Sequence, residues 1–471
     1  MQPVMNIRKR APIILPVCCF ALAVMAEFSK VIAGGNPEML KANGGWCWFQ
    51  GERAVVVEDR LIFTTIAGDD GGGWDAGDLV ATMHDFKTGR TTHHELHDKF
   101  HRDDHDVAGL LVLPDQRVLA VYGKHGNDHF QRWRITTKPA DISAWSEEQT
   151  LDIGAGYTYS NLFRLEAEQG RIYNFHRGLG YNPNCNISDD GGKTWRYGWR
   201  LLEWTREDLQ NNPRYTGLDG RRPYLRYAGD GRDTIHFITT DDHPRAYDNS
   251  IYHGYYRAGK LFRSDGAPVG EPGAEGTANP KPCSFTEVFR GDADHVAWTT
   301  DLRLDAEGRP RMIFSVQRDG AAIRALKKGG DGGHDHRYHY ARWDGSRWQV
   351  HELAFAGTRL YAGEDDYTGL AALDPQDANV VFISTNADPQ TGRPLVSTAD
   401  SKRHWEIFQG TTADGGAHWK WSAITANSTQ DNLRPVMPVR PGGPRVVLWA
   451  RGDLKAYTDY RLDIVMLRQD G

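Results

Sequence analysis

HDVAGLLVLPDQRVLAVYGKHG (His105–Gly126) holds the fold of this chain in one hairpin. An apolar run, Val107 to Leu113, reaches a turn at Pro114-Asp115, and a second run, Val118 to Tyr122, comes back. Short apolar runs bounded by turn residues are the signature of strands buried on both faces. The unit recurs at Trp48–Gly68, Tyr159–Gly178, Arg222–Thr240, Val296–Asp319, Tyr361–Ala387 and Asn432–Gly452. Each copy is followed by room for two further strands, as in RYHYARWDGSRWQV (Arg337–Val350). Repeats of this kind predict an all-β fold, a seven-bladed β-propeller. A double-sheet sandwich or a solenoid is the alternative. No helical periodicity of useful length competes with either.

Ser188-Asp-Asp-Gly-Gly-Lys-Thr-Trp195 fits the Asp-box pattern S-x-D-x-G-x-T-W, and Thr412–Trp419 is a looser copy. In such a turn the Asp caps its own loop and the Trp packs between strands. The box speaks to fold and not to function. Composition agrees: 51 Gly, 15 Trp and 19 Tyr suit many tight turns and aromatic strands. A net charge of -6 gives no electrostatic footprint for nucleic acid.

Residues 1–26 read as a signal peptide: Arg8, Lys9 and Arg10, an apolar run Ile13–Ala26, and a cleavage site at Val24-Met25-Ala26. Residues 27–471 then form one propeller domain, secreted or periplasmic, with no membrane attachment after cleavage. Of the 5 cysteines, Cys18 and Cys19 leave with the signal. Cys47, Cys185 and Cys283 cannot all pair within one chain, so disulfides do not frame the fold. Cys283 with His334, His336 and neighbouring His339 is a candidate set for a structural zinc, against the bland alternative of a buried thiol and an exposed histidine-rich loop.

The start of a hairpin's first strand and the end of its second lie at one rim, and in a propeller these rims converge on one face. The second unit contributes His105 and His125. The third contributes Tyr157, Tyr159 and Asn161, then His176 and Arg177. The fourth contributes Arg222, Tyr224, His243 and Arg245. Asp301, Arg318, Glu364 to Asp366, Asn432, Arg434 and Arg451 complete the rim. Singly, each has an ordinary explanation. Tyr157 suits strand packing, Glu364–Asp366 a solvated turn, and Arg451 a tie between blades. The concentration of His, Tyr and Arg on units two to four marks the candidate active site.

That set suits β-elimination from a uronate. An arginine neutralises the sugar carboxylate and acidifies the C5 proton. A His or Tyr removes that proton, and another protonates the leaving 4-oxygen. Catalysis then requires no cofactor. Glycoside hydrolysis would need two facing carboxylates at a set separation, and Asp103 and Asp104 are adjacent, so at most one can face this rim.

The stretches HRDDHDVAGLLVLPDQRVLAVYGKHG, YTYSNLFRL, GRIYNFHRG, SDDGGKTW, RRPYLRY, DDHPR, NSIYHGYYRAGKLFRSDG and ITANSTQDNLRPVMP resemble the BNR-repeat polysaccharide lyases. These include the ulvan lyases of polysaccharide lyase families 24 and 25, and the resemblance spans nearly the whole mature chain. It implies a seven-bladed propeller that cleaves ulvan by elimination, between rhamnose 3-sulfate and glucuronate or iduronate. The family's two catalytic-site histidines fall on His105 and His125, its neutralising arginine on Arg177 and its tyrosine on Tyr159. A further substrate-contacting basic residue falls on His243 or Arg245. Asn161, His176, Arg222 and Tyr224 complete the expected substrate-binding set; His176 stands where the family pattern leads one to expect an aromatic. The expected partner is an acidic polysaccharide, sulfated and uronate-containing, met by a monomer. Two rivals carry different products. A sialidase-like hydrolase would release no unsaturated uronate, and a non-catalytic sugar-binding propeller would leave polymer length unchanged.

Overall fold

The computed structural model describes residues 36–205, 207, 222–273, 278–320 and 332–469. The signal peptide lies outside the described residues. Seven antiparallel sheets follow one another along the chain, and the first strands of neighbouring sheets pack together around a common axis. This is the seven-bladed propeller that the repeats predict.

Each predicted hairpin supplies the two innermost strands of a blade. Gly109–Val112 and Val118–Tyr122 open blade 2, Thr158–Leu165 and Arg171–Arg177 blade 3, and Leu225–Gly229 and Thr234–Thr239 blade 4. Second strands such as Val118–Tyr122 are buried at every position, because neighbouring blades cover both faces. Outer strands such as Thr91–His97 are mostly half-buried or exposed and carry polar side chains. Five blades have four strands. Blade 2 splits its outer edge between Asp141–Trp145 and Gln149–Asp152, and blade 4 pairs both Lys260–Arg263 and Thr286–Phe289 with Ile251–Arg257.

Two features of the N-terminal region depart from the sequence reading. The first hairpin begins at Ala54, and not at Trp48. Before it, Glu38–Lys41 pairs with Asp459–Gln469 as the outer strand of blade 7, so both ends of the chain close one sheet. The segment after that strand crosses the axis as a plug. Trp46 Nε1 donates to the Arg434 carbonyl and Trp48 Nε1 to the Thr299 carbonyl, both at 3.2 Å. Asn161 Nδ2 donates to the Phe49 carbonyl at 2.9 Å, and Arg226 donates to the carbonyls of Trp48 and Gln50. Blades 3, 4, 5 and 7 thus satisfy the plug's backbone and indole groups, which burial would otherwise leave unpaired.

The Asp box is the turn between Pro183–Ser188 and Arg196–Arg200. Asp190 accepts from the backbone of Lys193 and Thr194 and from the Thr194 hydroxyl, at 2.7 to 3.1 Å. Gly191 and Gly192 take φ of 76° and 87°, open to glycine at little cost. Trp195 meets Trp133 of blade 2 edge-on, with ring centroids 6.4 Å apart.

Candidate active site

A short 3-10 turn, Asp104–Asp106, brings His105 to the mouth of the channel just before blade 2 begins. Asp103 caps that turn and grips two imidazoles. Its Oδ1 accepts from the His105 backbone N–H at 2.9 Å and lies 2.6 Å from His105 Nδ1; its Oδ2 lies 2.9 Å from His125 Nδ1. The two rings stack 4.2 Å apart. They differ in access: the His105 side chain is 1% exposed and that of His125 21%. Burial opposes charge on His105, but Cys47, Tyr159, Asp103 and Asp104 outweigh it and hold its pKa well above the ordinary value. Burial and the neighbouring His105 push His125 down to about 4, against the pull of Asp103. A neutral His125 therefore donates Nδ1–H to Asp103 and keeps a lone pair on Nε2.

Tyr159 reaches the same mouth through a bulge. The pairing of Thr158–Leu165 with Arg171–Arg177 slips between Thr158 and Asn161, and Tyr159 takes φ of 66°. A left-handed tyrosine is strained, and a bulge re-aims a side chain that strand alternation would send elsewhere. Its ring lies 5.8 Å from His105 and 6.0 Å from His125. Burial raises the Tyr159 pKa well above 10 although Arg177 works against it, so the phenol keeps its proton. The Arg177 guanidinium lies 4.8 Å over the Tyr159 ring and donates to the Tyr224 hydroxyl at 3.0 Å. Among the described residues, no carboxylate lies within ion-pair distance of this half-buried cation.

The mouth continues around the axis. Tyr224 meets His243 edge-on at 5.3 Å, and His243 Nδ1 faces Asp366 Oδ2 at 3.3 Å. Arg245 donates to both oxygens of Glu364 at 3.0 Å. Glu364 to Asp366 are buried, which corrects their reading as a solvated turn. One contributor carried no sequence signal. Tyr457, at a hairpin tip of blade 7, meets the rings of His105 and His125 edge-on at 5.0 and 5.7 Å. Asp104 takes Arg434 at 2.5 Å in a fully buried pair.

Three expected substrate contacts are taken up by the fold, although Asn161 and His176 line a narrow cleft beside Tyr159 and Arg177. Asn161 is committed to the plug and to the Phe175 carbonyl. His176 is buried against Tyr157, with ring centroids 4.7 Å apart. Arg222 lies over the exposed ring of Tyr181 at 5.2 Å, and its backbone N–H donates to Asp242 at 3.0 Å. The structure does not assemble the proposed zinc set either. Cys283 is exposed in the turn Pro282–Ser284 of blade 4. His336 is buried at the start of a blade 5 strand, His334 is exposed, and His339 packs on Phe289 and Phe314. Among the described residues, ligand atoms of Cys283, His334 and His336 do not gather in one place. A larger depression opens on the opposite face, among the hairpin turns, but Leu111, Leu113, Phe163 and Leu304 line it and no such constellation does.

A family model described as a BNR repeat-containing family member matches residues 47–356. The chain belongs to that family. Among curated proteins no relative matches the sequence. Among solved structures, this BNR-repeat chain is similar to a polysaccharide lyase family 25 ulvan lyase bound to -[GlcA(1-4)Rha3S]-. Identity is 15%, coverage 92% of this chain and 96% of that one, and the TM-score 0.62. The polysaccharide lyase Uly1 is similar over 89% of this chain and 90% of its own, at 11% identity and a TM-score of 0.55. At such identities the likeness is one of fold.

Proposed function

We propose that the protein is a secreted, monomeric polysaccharide lyase that cleaves a uronate-containing sulfated polysaccharide, ulvan above others, by β-elimination. The observation that carries this reading is Arg177: a half-buried cation whose partners are tyrosines and not carboxylates. A desolvated charge without a counter-ion favours an anionic ligand, and a guanidinium matches a carboxylate in two hydrogen bonds. The sugar carboxylate takes that place. Neutralising it lowers the cost of removing the C5 proton, and the same charge stabilises the enolate-like transition state.

His125 accepts the C5 proton on Nε2, since it is the accessible imidazole and is neutral near pH 7. Tyr159, protonated and beside it, donates to the departing 4-oxygen. His105 meets no sugar. It lies beneath His125, charged, and shares Asp103 with it. Tyr457, half-buried beside the two histidines, gives an aromatic surface for a sugar ring. The reaction needs only these groups and the carboxylate of the substrate.

The test is purified protein on ulvan, heparan sulfate, chondroitin sulfate and alginate, read by ultraviolet absorbance of unsaturated uronate and by reducing ends. Absorbance that rises with chain cleavage on ulvan is expected. Reducing ends without absorbance would mean hydrolysis. Binding without either would mean a sugar-binding propeller.

A further inference from the structure

We propose that His101 and Asp106 form a positioning pair that holds His125 in its working orientation from one layer behind the site. This rests on the reading of His125 as a proton-transfer group, and on contacts that do not depend on that reading. Asp106 is completely buried and uses its two oxygens on different partners. Oδ1 accepts from the His125 backbone N–H at 2.7 Å, and Oδ2 lies 2.6 Å from His101 Nδ1. Asp103, two residues before His105 in the same loop, takes the His125 ring. The loop thus grips His125 twice, by its backbone through Asp106 and by its imidazole through Asp103. A side chain held at both points loses the rotations that would take Nε2 away from a bound sugar.

His101 differs from the other members in being partly open, at 31% exposure, with Nε2 2.9 Å from Asn127 Nδ2. With the amide donating to Nε2, the ring proton sits on Nδ1 and points at Asp106. The charged groups facing the pair are Asp103 and Lys124 toward His101, and Asp103 and His105 toward Asp106. The hydrogen bond to Asp106 raises the His101 pKa. Burial pushes Asp106 up to about 7, against that bond. Without His101 the buried carboxyl of Asp106 would face His125 with no donor on its far side. Neither residue touches substrate in this arrangement, so the effect is on proton transfer and not on binding.

His101→Ala, His101→Asn and wild type separate the possibilities. The Asn amide places an N–H where His101 Nδ1–H now donates, so it keeps the contact without a titratable ring. Removing a supporting partner of an active imidazole commonly costs on the order of tenfold in activity. His101→Ala should lose about that much in kcat, with KM within about twofold, and His101→Asn should recover most of it. The second readout is nitrogen NMR of the His125 backbone amide in the full chain. The N–H that donates to Asp106 should be protected from hydrogen exchange in wild type and should exchange faster in His101→Ala. Wild-type kcat together with unchanged exchange in His101→Ala would overturn the pairing. If wild type eliminates no uronate polymer, the functional reading fails by itself, and the exchange of the His125 amide still decides whether His101 and Asp106 position it.

Discussion

The two walls of the channel mouth carry similar residues and differ in what is left over. On the wall of blades 2 and 3, Asp103 is gripped by two imidazoles, and one of them, His125, remains 21% exposed. On the opposite wall, where blade 4 meets the loop into blade 6, Arg245 is taken by Glu364, Arg359 by Asp365 and His243 by Asp366. The His243 side chain is 4% exposed. The carboxylates differ in the same way. Burial opposes ionisation of Asp103, yet His105 and His125 hold it well below the usual carboxylate range. Burial pushes Asp366 up to about 7, helped by Glu364. A histidine beside a carboxylate is therefore not enough to mark a base. Saturation of the carboxylate and access to the second ring nitrogen separate the wall that can do chemistry from the wall that braces it.

The largest expected effect breaks the active wall directly. Tyr159→Phe and His125→Ala each remove a proton-transfer group, commonly a loss of roughly a hundred- to ten-thousandfold in turnover. His243→Ala should act mainly on KM. Steady-state kinetics on ulvan check this, and equal losses of kcat for His125→Ala and His243→Ala would erase the distinction between the walls. The pH profile sharpens it. His125 is active when neutral, and its pKa is depressed to about 4. Activity should stay full as pH falls through the ordinary histidine range of about 6.5 and fail only toward about 4. A limb near 6.5 instead would mean that substrate reverses the depression or that another group is the base.

Arg177 and Arg245 offer the next contrast. Arg177→Ala should cost about a hundredfold or more in turnover, as for a preorganised charge stabiliser, with little change in melting temperature. Arg245→Ala should do the reverse. It leaves Glu364 buried without its cation, a loss of about 1–3 kcal/mol in stability. Thermal melts beside kinetics decide between them.

The repeats were legible because buried central strands carry unbroken apolar runs, such as Val118–Tyr122 and Val380–Ile383, and turns punctuate them. The Asp box was legible for the same local reason. The N-terminal strand was not: Glu38–Lys41 is four residues long and half of it is exposed, so it has no period to read. The plug looked like the start of a strand because Trp46 to Phe49 is apolar, and only contacts with four separate blades show what it does. At the site, rim geometry indicated His105, His125, Tyr159 and Arg177, and these lie together. It could not tell His105, buried beneath, from His125, because one stands just before the first strand of the hairpin and the other just after the second. Tyr457 was out of reach, since blade 7's hairpin tip meets blade 2 only through closure of the ring. Asn161 and His176 lie beside Tyr159 and Arg177 as the strand count predicts, but Asn161 is taken by the plug and His176 by the packing on Tyr157, which no count along a strand can show.

The smallest expected effect concerns His176, which sequence put among the substrate contacts and the fold puts in the core. It is 2% exposed, and burial pushes its pKa down to about 4, against the pull of Asn186 and the Arg177 backbone. The unfolded chain returns it to about 6.5. Between those values the unfolded state binds a proton that the folded state does not. Stability from this residue is therefore complete above about 6.5 and is lost as pH falls toward about 4, by at most about 1.4 kcal/mol for each pH unit. His236, His336 and His339 are depressed to about 4 by burial as well, so His176 supplies only its share of the slope. His176→Phe keeps a ring against Tyr157 and removes the proton. Melting temperatures of the two proteins should be close at pH 8, and the variant should lose less than wild type on going to pH 5. An unchanged slope with a raised KM would return His176 to the substrate, and with it the strand count that placed it there.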